Sequence, residues 1–121
     1  MKTLFVRADD LGYSKAVNYG IYTAVKDGVI NNVGVMLNMP QTKNGIEVLE
    51  EFDIDLGCHI NFSAGVPLAD PSKIPSLVQE NGHFKSSKQY REETKDIVVL
   101  EEALLEVEAQ YQQFVTLLKR K

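Results

Sequence analysis

Three residues hold most of the chemistry that this sequence could perform. Asp9 and Asp10 stand side by side where a short run of β-forming residues meets Leu11-Gly12, and His59 lies within Gly57-Cys58-His59-Ile60-Asn61. Adjacent carboxylates at the carboxyl end of a parallel strand occupy the edge where α/β folds place their sites. One could ligate a divalent cation while the other takes a proton from water activated there. A neutral imidazole is the commonest metal ligand, and His59 would share the same sheet edge. Each feature also has a plainer explanation. The Asp pair could cap backbone N–H groups in a turn, and His59 could be a buried ring bonded to a carbonyl. Because successive strand residues point to opposite faces, both carboxylates reach one site only if the strand ends there, as Gly12 suggests.

Other candidate chemistry falls away. A Cys58–His59 nucleophile pair fails on geometry, since strand neighbours face opposite sides, and Cys58 reads as a small core residue. His83, beside the turn pair Asn81-Gly82, reads as an exposed hairpin residue. The glycines match neither the dinucleotide nor the phosphate-loop spacing. Ser14 reads as a helix cap and Ser63 as a loop residue, neither with a nearby histidine to activate it.

The elements that must position these residues follow from local pattern. Residues 3–8 read as a strand running into the Asp pair. Ser14 is placed to cap a helix carrying Val17, Ile21, Ala24 and Val25 and ending at Gly28. Val33–Leu37 reads as a second strand, Asn44–Phe52 as a helix and Ile54–Phe62 as a third strand. Strand, helix, strand, helix, strand at this spacing is the βαβαβ pattern of an α/β fold with a parallel sheet. Ser63–Pro75, with Gly65, Pro67, Pro71 and Pro75, is a long surface loop, and loops of that length are more often functional than passive. A hairpin around Asn81-Gly82 and a polar stretch with room for a short helix come next. Last is a long helix whose Leu100, Leu104, Val107, Tyr111, Phe114 and Leu118 form one apolar stripe. Its early glutamates and terminal Lys119, Arg120 and Lys121 complement the helix dipole. The stripe is too short for a coiled-coil seam, so it predicts a helix packed on its own domain.

Composition bounds the rest. The 121 residues include 13 Lys+Arg against 17 Asp+Glu, a net charge of −4. That balance offers no electrostatic footprint for nucleic acid or an anionic membrane. A single cysteine excludes an internal disulfide and fits a reducing compartment. Ile97–Leu100 is far too short to span a bilayer, and Arg7, Asp9 and Asp10 interrupt any signal-like start. These features predict a cytoplasmic, single-domain protein spanning residues 1–121.

Four strings together resemble one family. They are Arg7-Ala8-Asp9-Asp10-Leu11-Gly12 with Val17-Asn18-Tyr19-Gly20-Ile21, Met36-Leu37-Asn38-Met39-Pro40, Gly57 through Leu68, and Asn81-Gly82-His83-Phe84 followed by the Glu-rich helix with Ala109-Gln110. In that order and spacing they resemble the YdjC-like carbohydrate deacetylases, the chito-oligosaccharide deacetylase family. The resemblance implies the opening half of a distorted, TIM-like (β/α) barrel that removes N-acetyl groups from 2-acetamido sugars such as diacetylchitobiose. It assigns Asp9 as general base, and Asp10 and His59 as ligands of magnesium or zinc. It further implies substrate contacts at Asn38, Asn61, Ser63, Gly65 and Pro67, with no other cofactor. A third ligand and a general acid are expected beyond Lys121. The open sheet edge then calls for a second half or a homo-oligomer. A second class of function, a non-catalytic sugar-binding or oligomerising module, rests on that edge and on the regular terminal stripe. Another metal-dependent barrel hydrolase or isomerase would share the Asp/His geometry.

Overall fold

The computed structural model describes residues 1–118, so the basic cluster Lys119, Arg120 and Lys121 lies outside the described residues. The chain divides into two compact units, Met1–His59 and Ile60–Lys121.

The first unit is an α/β layer. β1 (Arg7–Leu11), α1 (Lys15–Asp27), β2 (Asn32–Val35), α2 (Thr42–Val48) and β3 (Asp55–Cys58) follow one another in the expected alternation. The three strands are parallel in the order β1-β2-β3. Leu11, Val33 and Val35 are fully buried, and Ile21 of α1 and Ile46 of α2 are nearly so. Burial of each large aliphatic side chain stabilises the unit by roughly 1.5–3 kcal/mol. The serine cap is as expected: Ser14 Oγ accepts from Val17 N at 3.1 Å.

The first strand is displaced from its expected span. Residues 3–8 have the better β-formers, yet Leu4 and Phe5 are mostly exposed and the strand runs from Arg7 through the Asp pair to Leu11. The apolar residue that anchors it is Leu11, so burial overrides local propensity. A buried asparagine holds the end of this strand in place. Asn18 Oδ1 accepts from Gly12 N at 2.7 Å, while Nδ2 donates to Gln41 O at 3.0 Å and to Asn44 Oδ1 at 3.1 Å. One side chain on α1 therefore ties the β1 turn to the start of α2. Gly12 sits at φ 103 with no room for a Cβ beside Thr42, a conformation that favours glycine.

The second unit is mostly loop, organised around Ile74, Leu77 and Phe84, with Phe62, Ala69 and Val78 packed against them. The hairpin is present as a single antiparallel bridge, Val78 with Phe84, around Gly82 at φ 81. The polar stretch forms α3 (Ser87–Glu92), opened by a capping box between Ser86 and Gln89.

α4 (Leu100–Leu118) has the expected length but not the expected buried face. Leu100, Leu104 and Tyr111 of the apolar stripe are more than half exposed, whereas Glu106 and Gln110 are completely buried. The reason is the loop. Glu106 accepts from Leu68 N at 3.1 Å and Ala69 N at 2.8 Å, and Glu102 accepts from Ser76 N at 2.7 Å. Gln110 exchanges two bonds with the Asn61 backbone, at 3.0 and 2.7 Å. Residues 102, 106 and 110 lie one turn apart on the same face of the helix. They satisfy loop N–H and C=O groups that have no strand partner, as buried backbone requires. No helix among the described residues is long and apolar enough to cross a membrane.

Candidate functional site

The Asp pair reaches one site by a route different from the one expected. The strand does not end before it. Ala8 pairs with Val33 and Leu11 with Val35, so Asp9 and Asp10 together stand opposite the single residue Gly34. This is a β-bulge, which leaves an extra residue on one strand and re-aims its side chain. Asp10 absorbs the bend at φ 70, the one non-glycine residue among those described with positive φ. Aspartate tolerates that region better than most residues, at a cost of about 1 kcal/mol. The complete burial of Leu11 immediately after it offsets that cost. Consecutive residues Asp9 and Asp10 are accordingly both exposed.

His59 follows β3 directly and is placed by its own backbone, since His59 N donates to Val35 O at 2.8 Å. Its Nδ1 lies 3.5 Å from Asp10 Oδ1 and 3.8 Å from Asp9 Oδ1. Asp10 N also points at Nδ1, at a long 3.4 Å. An Nδ1 that faces an N–H carries a lone pair, which places the proton of the neutral ring on Nε2. At 3.4 Å the contact is weak enough for that lone pair to be given to a cation instead. The three residues named from sequence thus converge on the carboxyl end of the sheet.

The two carboxylates are not equivalent. Asp9 Oδ1 accepts from Arg7 Nε at 2.7 Å, and Arg7 Nη1 donates to Asn32 Oδ1 at 2.9 Å. Both partners of the Arg7–Asp9 pair are about half exposed, so it contributes at most about 1 kcal/mol to stability. Among the described residues Asp10 has no such cation, and it faces His59. Two donors 3.5 Å apart suit neighbouring positions on one ion with bonds of roughly 2.0–2.2 Å. Asp10 and His59 therefore fit two ligands of a divalent cation. Among the described residues no group of three His, Cys, Asp or Glu side chains has the arrangement of a metal site. Asp9, the nearest third group, is turned toward Arg7.

Cys58 pairs with Val35 within the sheet, and burial pushes its thiol above the usual range. A thiol so shifted is a poor nucleophile at neutral pH. Asn38 lies half-buried in the turn after β2. The remaining positions named as substrate contacts belong to the second unit. There Asn61 Oδ1 accepts from Ser63 N at 3.0 Å and Ala64 N at 3.1 Å, and Nδ2 donates to Ala64 O at 2.7 Å. Gly65 sits at φ 76 and its carbonyl accepts from Phe84 N at 3.0 Å, while Pro67 is buried. These residues shape the loop. His83 is exposed beside its turn. A groove of about 360 Å³ lined by Tyr19, Tyr22, Glu47, Val48, Glu50 and Glu51 includes none of Asp9, Asp10 or His59.

Sequence reasoning missed Arg7 and Asn18, although both stand in the strings quoted above. The signal for Arg7 was its position two residues before Asp9 on the same strand face. For Asn18 it was a polar residue three before Ile21 and seven before Val25, on an otherwise apolar face.

The profile of the family described as YdjC-like protein matches residues 3–121. A protein of Thermoanaerobacter pseudethanolicus named carbohydrate deacetylase is 36% identical over 111 residues, covering 91% of this chain and 43% of the relative. One of the same name from Halalkalibacterium halodurans is 35% identical over 112 residues, covering 92% and 46%. The chain spans less than half the length of these curated relatives. Among solved structures, a protein of Enterococcus faecalis V583 described as a candidate cellobiose-phosphate cleavage protein superposes with a TM-score of 0.84 at 29% identity. That match covers 93% of this chain and 43% of the other.

Proposed function

The chain belongs to the YdjC-like family, and from that membership we propose that it holds the reacting carboxylates of a carbohydrate deacetylase. The reaction is hydrolysis of an N-acetyl group from a 2-acetamido sugar, of the diacetylchitobiose or chito-oligosaccharide type. The relatives named carbohydrate deacetylase support deacetylation of a carbohydrate. The observation that carries the reading is the bulge that brings Asp9 and Asp10 to one edge beside His59.

In this reading Asp10 and His59 hold a divalent cation, Mg²⁺ or Zn²⁺. Such an ion, when bound, lowers the pKa of water and polarises the acyl carbonyl. Asp9, kept apart from it by Arg7, takes the proton as water attacks the acetyl carbon. The substrate contacts that this reading assigns are Asn38 in the first unit and, in the loop region of the second, Asn61, Ser63, Gly65 and Pro67. Residues 1–121 form the amino-terminal part of one distorted (β/α) barrel domain. A second half of that barrel, or a second copy, pairs the free strand edge and supplies the remaining ligand and the general acid. A cytoplasmic setting belongs to the same reading and is supported by the single cysteine.

The test is acetate release from N,N′-diacetylchitobiose with Mg²⁺ or Zn²⁺ supplied, wild type against Asp9→Asn. Release abolished in Asp9→Asn supports the assignment. Equal release by both contradicts it.

One observation favours a second reading, an oligomerising module. Leu100, Leu104, Leu105 and Tyr111 expose an apolar face on α4. Sedimentation of wild type and Leu104→Glu decides it: a dimer that dissociates in the variant supports the module, and an unchanged state removes it.

A further inference from the structure

Arg7 is bonded from two strands and given room by a third. It lies two residues before Asp9 on β1, so both side chains leave the same face. Its Nε donates to Asp9 Oδ1 at 2.7 Å and its Nη1 to Asn32 Oδ1, on β2, at 2.9 Å. The space that the guanidinium fills is made by two glycines paired in register across β2 and β3, Gly34 and Gly57. A Cβ at Gly34 would strike both the guanidinium and Asp9 Oδ1, and one at Gly57 would stand 3.0 Å from Arg7 Nη1. Neither glycine has a positive φ, so their use here is room, not backbone freedom. Two strands thus forgo side chains where a third presents an arginine to its own aspartate.

We propose that Arg7 is the positioning residue for Asp9, fixing its carboxylate through Oδ1 so that Oδ2 is the oxygen that takes the proton. This rests on the deacetylase reading and deepens it, because it says which of two adjacent aspartates serves as base and why. Asp10 has His59 as its neighbour, and Asp9 has a guanidinium. A carboxylate with one oxygen held by Nε cannot rotate freely, and its second oxygen keeps one direction. Nor can the held oxygen turn to His59, 3.8 Å away, to join Asp10 there. An arginine does this better than a lysine, since a planar fork fixes orientation where an ammonium supplies only charge. Misplacing a catalytic group by about 1 Å costs on the order of a hundredfold in rate. A half-exposed ion pair, in contrast, adds little to stability.

Two measurements on the 121-residue chain test this. In nitrogen-15 NMR spectra, the Arg7 Nε–H is expected as a shifted, slowly exchanging signal that returns to the position of a free arginine in Asp9→Asn. A signal identical in the two proteins would overturn the proposal whether or not the chain turns over. In acetate release from N,N′-diacetylchitobiose, Arg7→Ala is expected to lose kcat by about ten- to a hundredfold with KM within about threefold. Added guanidinium ion should restore part of that loss, and Arg7→Lys should recover less than the wild type. Gly34→Ala should lose kcat likewise, although residue 34 bears no reactive group. If the wild type releases acetate and Arg7→Ala matches it, the role of Arg7 falls and the deacetylase reading stands. If the Nε–H signal behaves as expected but Asp9→Asn releases acetate as fast as the wild type, the ion pair stands and the deacetylase reading falls, taking the catalytic role of Arg7 with it. A loss in Arg7→Ala matched by a collapse of melting temperature, without guanidinium rescue, marks a purely structural residue and also overturns it.

Discussion

Asp10 Oδ1 and His59 Nδ1 lie 3.5 Å apart although 49 residues separate them in sequence. Parallel pairing alone would not bring them together. β1 is one register step too long for its partner, and the bulge turns the surplus residue, Asp10, toward the end of β3. Asp9 keeps the face that an alternating strand would give it and meets Arg7 there. The adjacent carboxylates therefore arrive at one edge with different neighbours, which suits them to different tasks.

Asn18→Ala should weaken the first unit far more than its polar chemistry suggests. The substitution leaves Gly12 N without its acceptor and removes two donated bonds, in a position with no exposure. Leaving such groups unpaired costs about 1–3 kcal/mol. Urea unfolding should report a loss of that size. A change below about 0.5 kcal/mol, the range of an ordinary surface substitution, would contradict this role.

Glu106 offers a parallel case in the second unit. Glu106→Ala strands Leu68 N, Ala69 N and one N–H of the Gln110 amide, whose bonds to Asn61 remain, and should destabilise by about 2–4 kcal/mol. Glu106→Gln retains one carbonyl acceptor and should cost less. Thermal melts of both variants decide it, and equal effects would count against Glu106 as the acceptor of these loop N–H groups.

Asp70 predicts an acid-dependent effect. It caps the turn Pro71–Lys73 by accepting from Ser72 Oγ and Ser72 N, and these bonds hold its carboxyl below the usual 3.8. A depressed folded value means that the ionised form stabilises the fold above the unfolded pKa, and that this contribution disappears as pH falls through the folded one. Asp70→Ala should therefore melt below wild type at pH 7, with the gap closing as the pH drops below about 3.8. A gap that stays constant into strong acid would contradict the cap.

How much of this was legible in the sequence depends on which interaction decides each element. The βαβαβ order was legible because Val33, Val35, Ile21 and Ile46 recur at the strand and helix periods and become the core. The Asp9, Asp10 and His59 constellation was legible because strand ends in a parallel sheet share one edge. The bulge was not legible, since it follows from Leu11 seeking burial across β2, a tertiary demand on an unremarkable Leu-Gly pair. Nor was the buried face of α4. Glutamates at 102 and 106 read as charges that complement the helix dipole, and only the folded loop shows N–H groups waiting for them. Arg7 was hidden for a related reason: a charged residue two before an aspartate is common, and its meaning lies in two glycines on other strands.

The division between Asp9 and the Asp10–His59 pair is tested most directly by calorimetric titration of Zn²⁺ or Mg²⁺ into wild type, Asp10→Asn, His59→Ala and Asp9→Asn. Binding of one ion by the wild type, weakened at least tenfold by Asp10→Asn and by His59→Ala but retained within about threefold in Asp9→Asn, is the predicted pattern. Unchanged affinity in Asp10→Asn and His59→Ala, or a loss in Asp9→Asn as large as theirs, would contradict it.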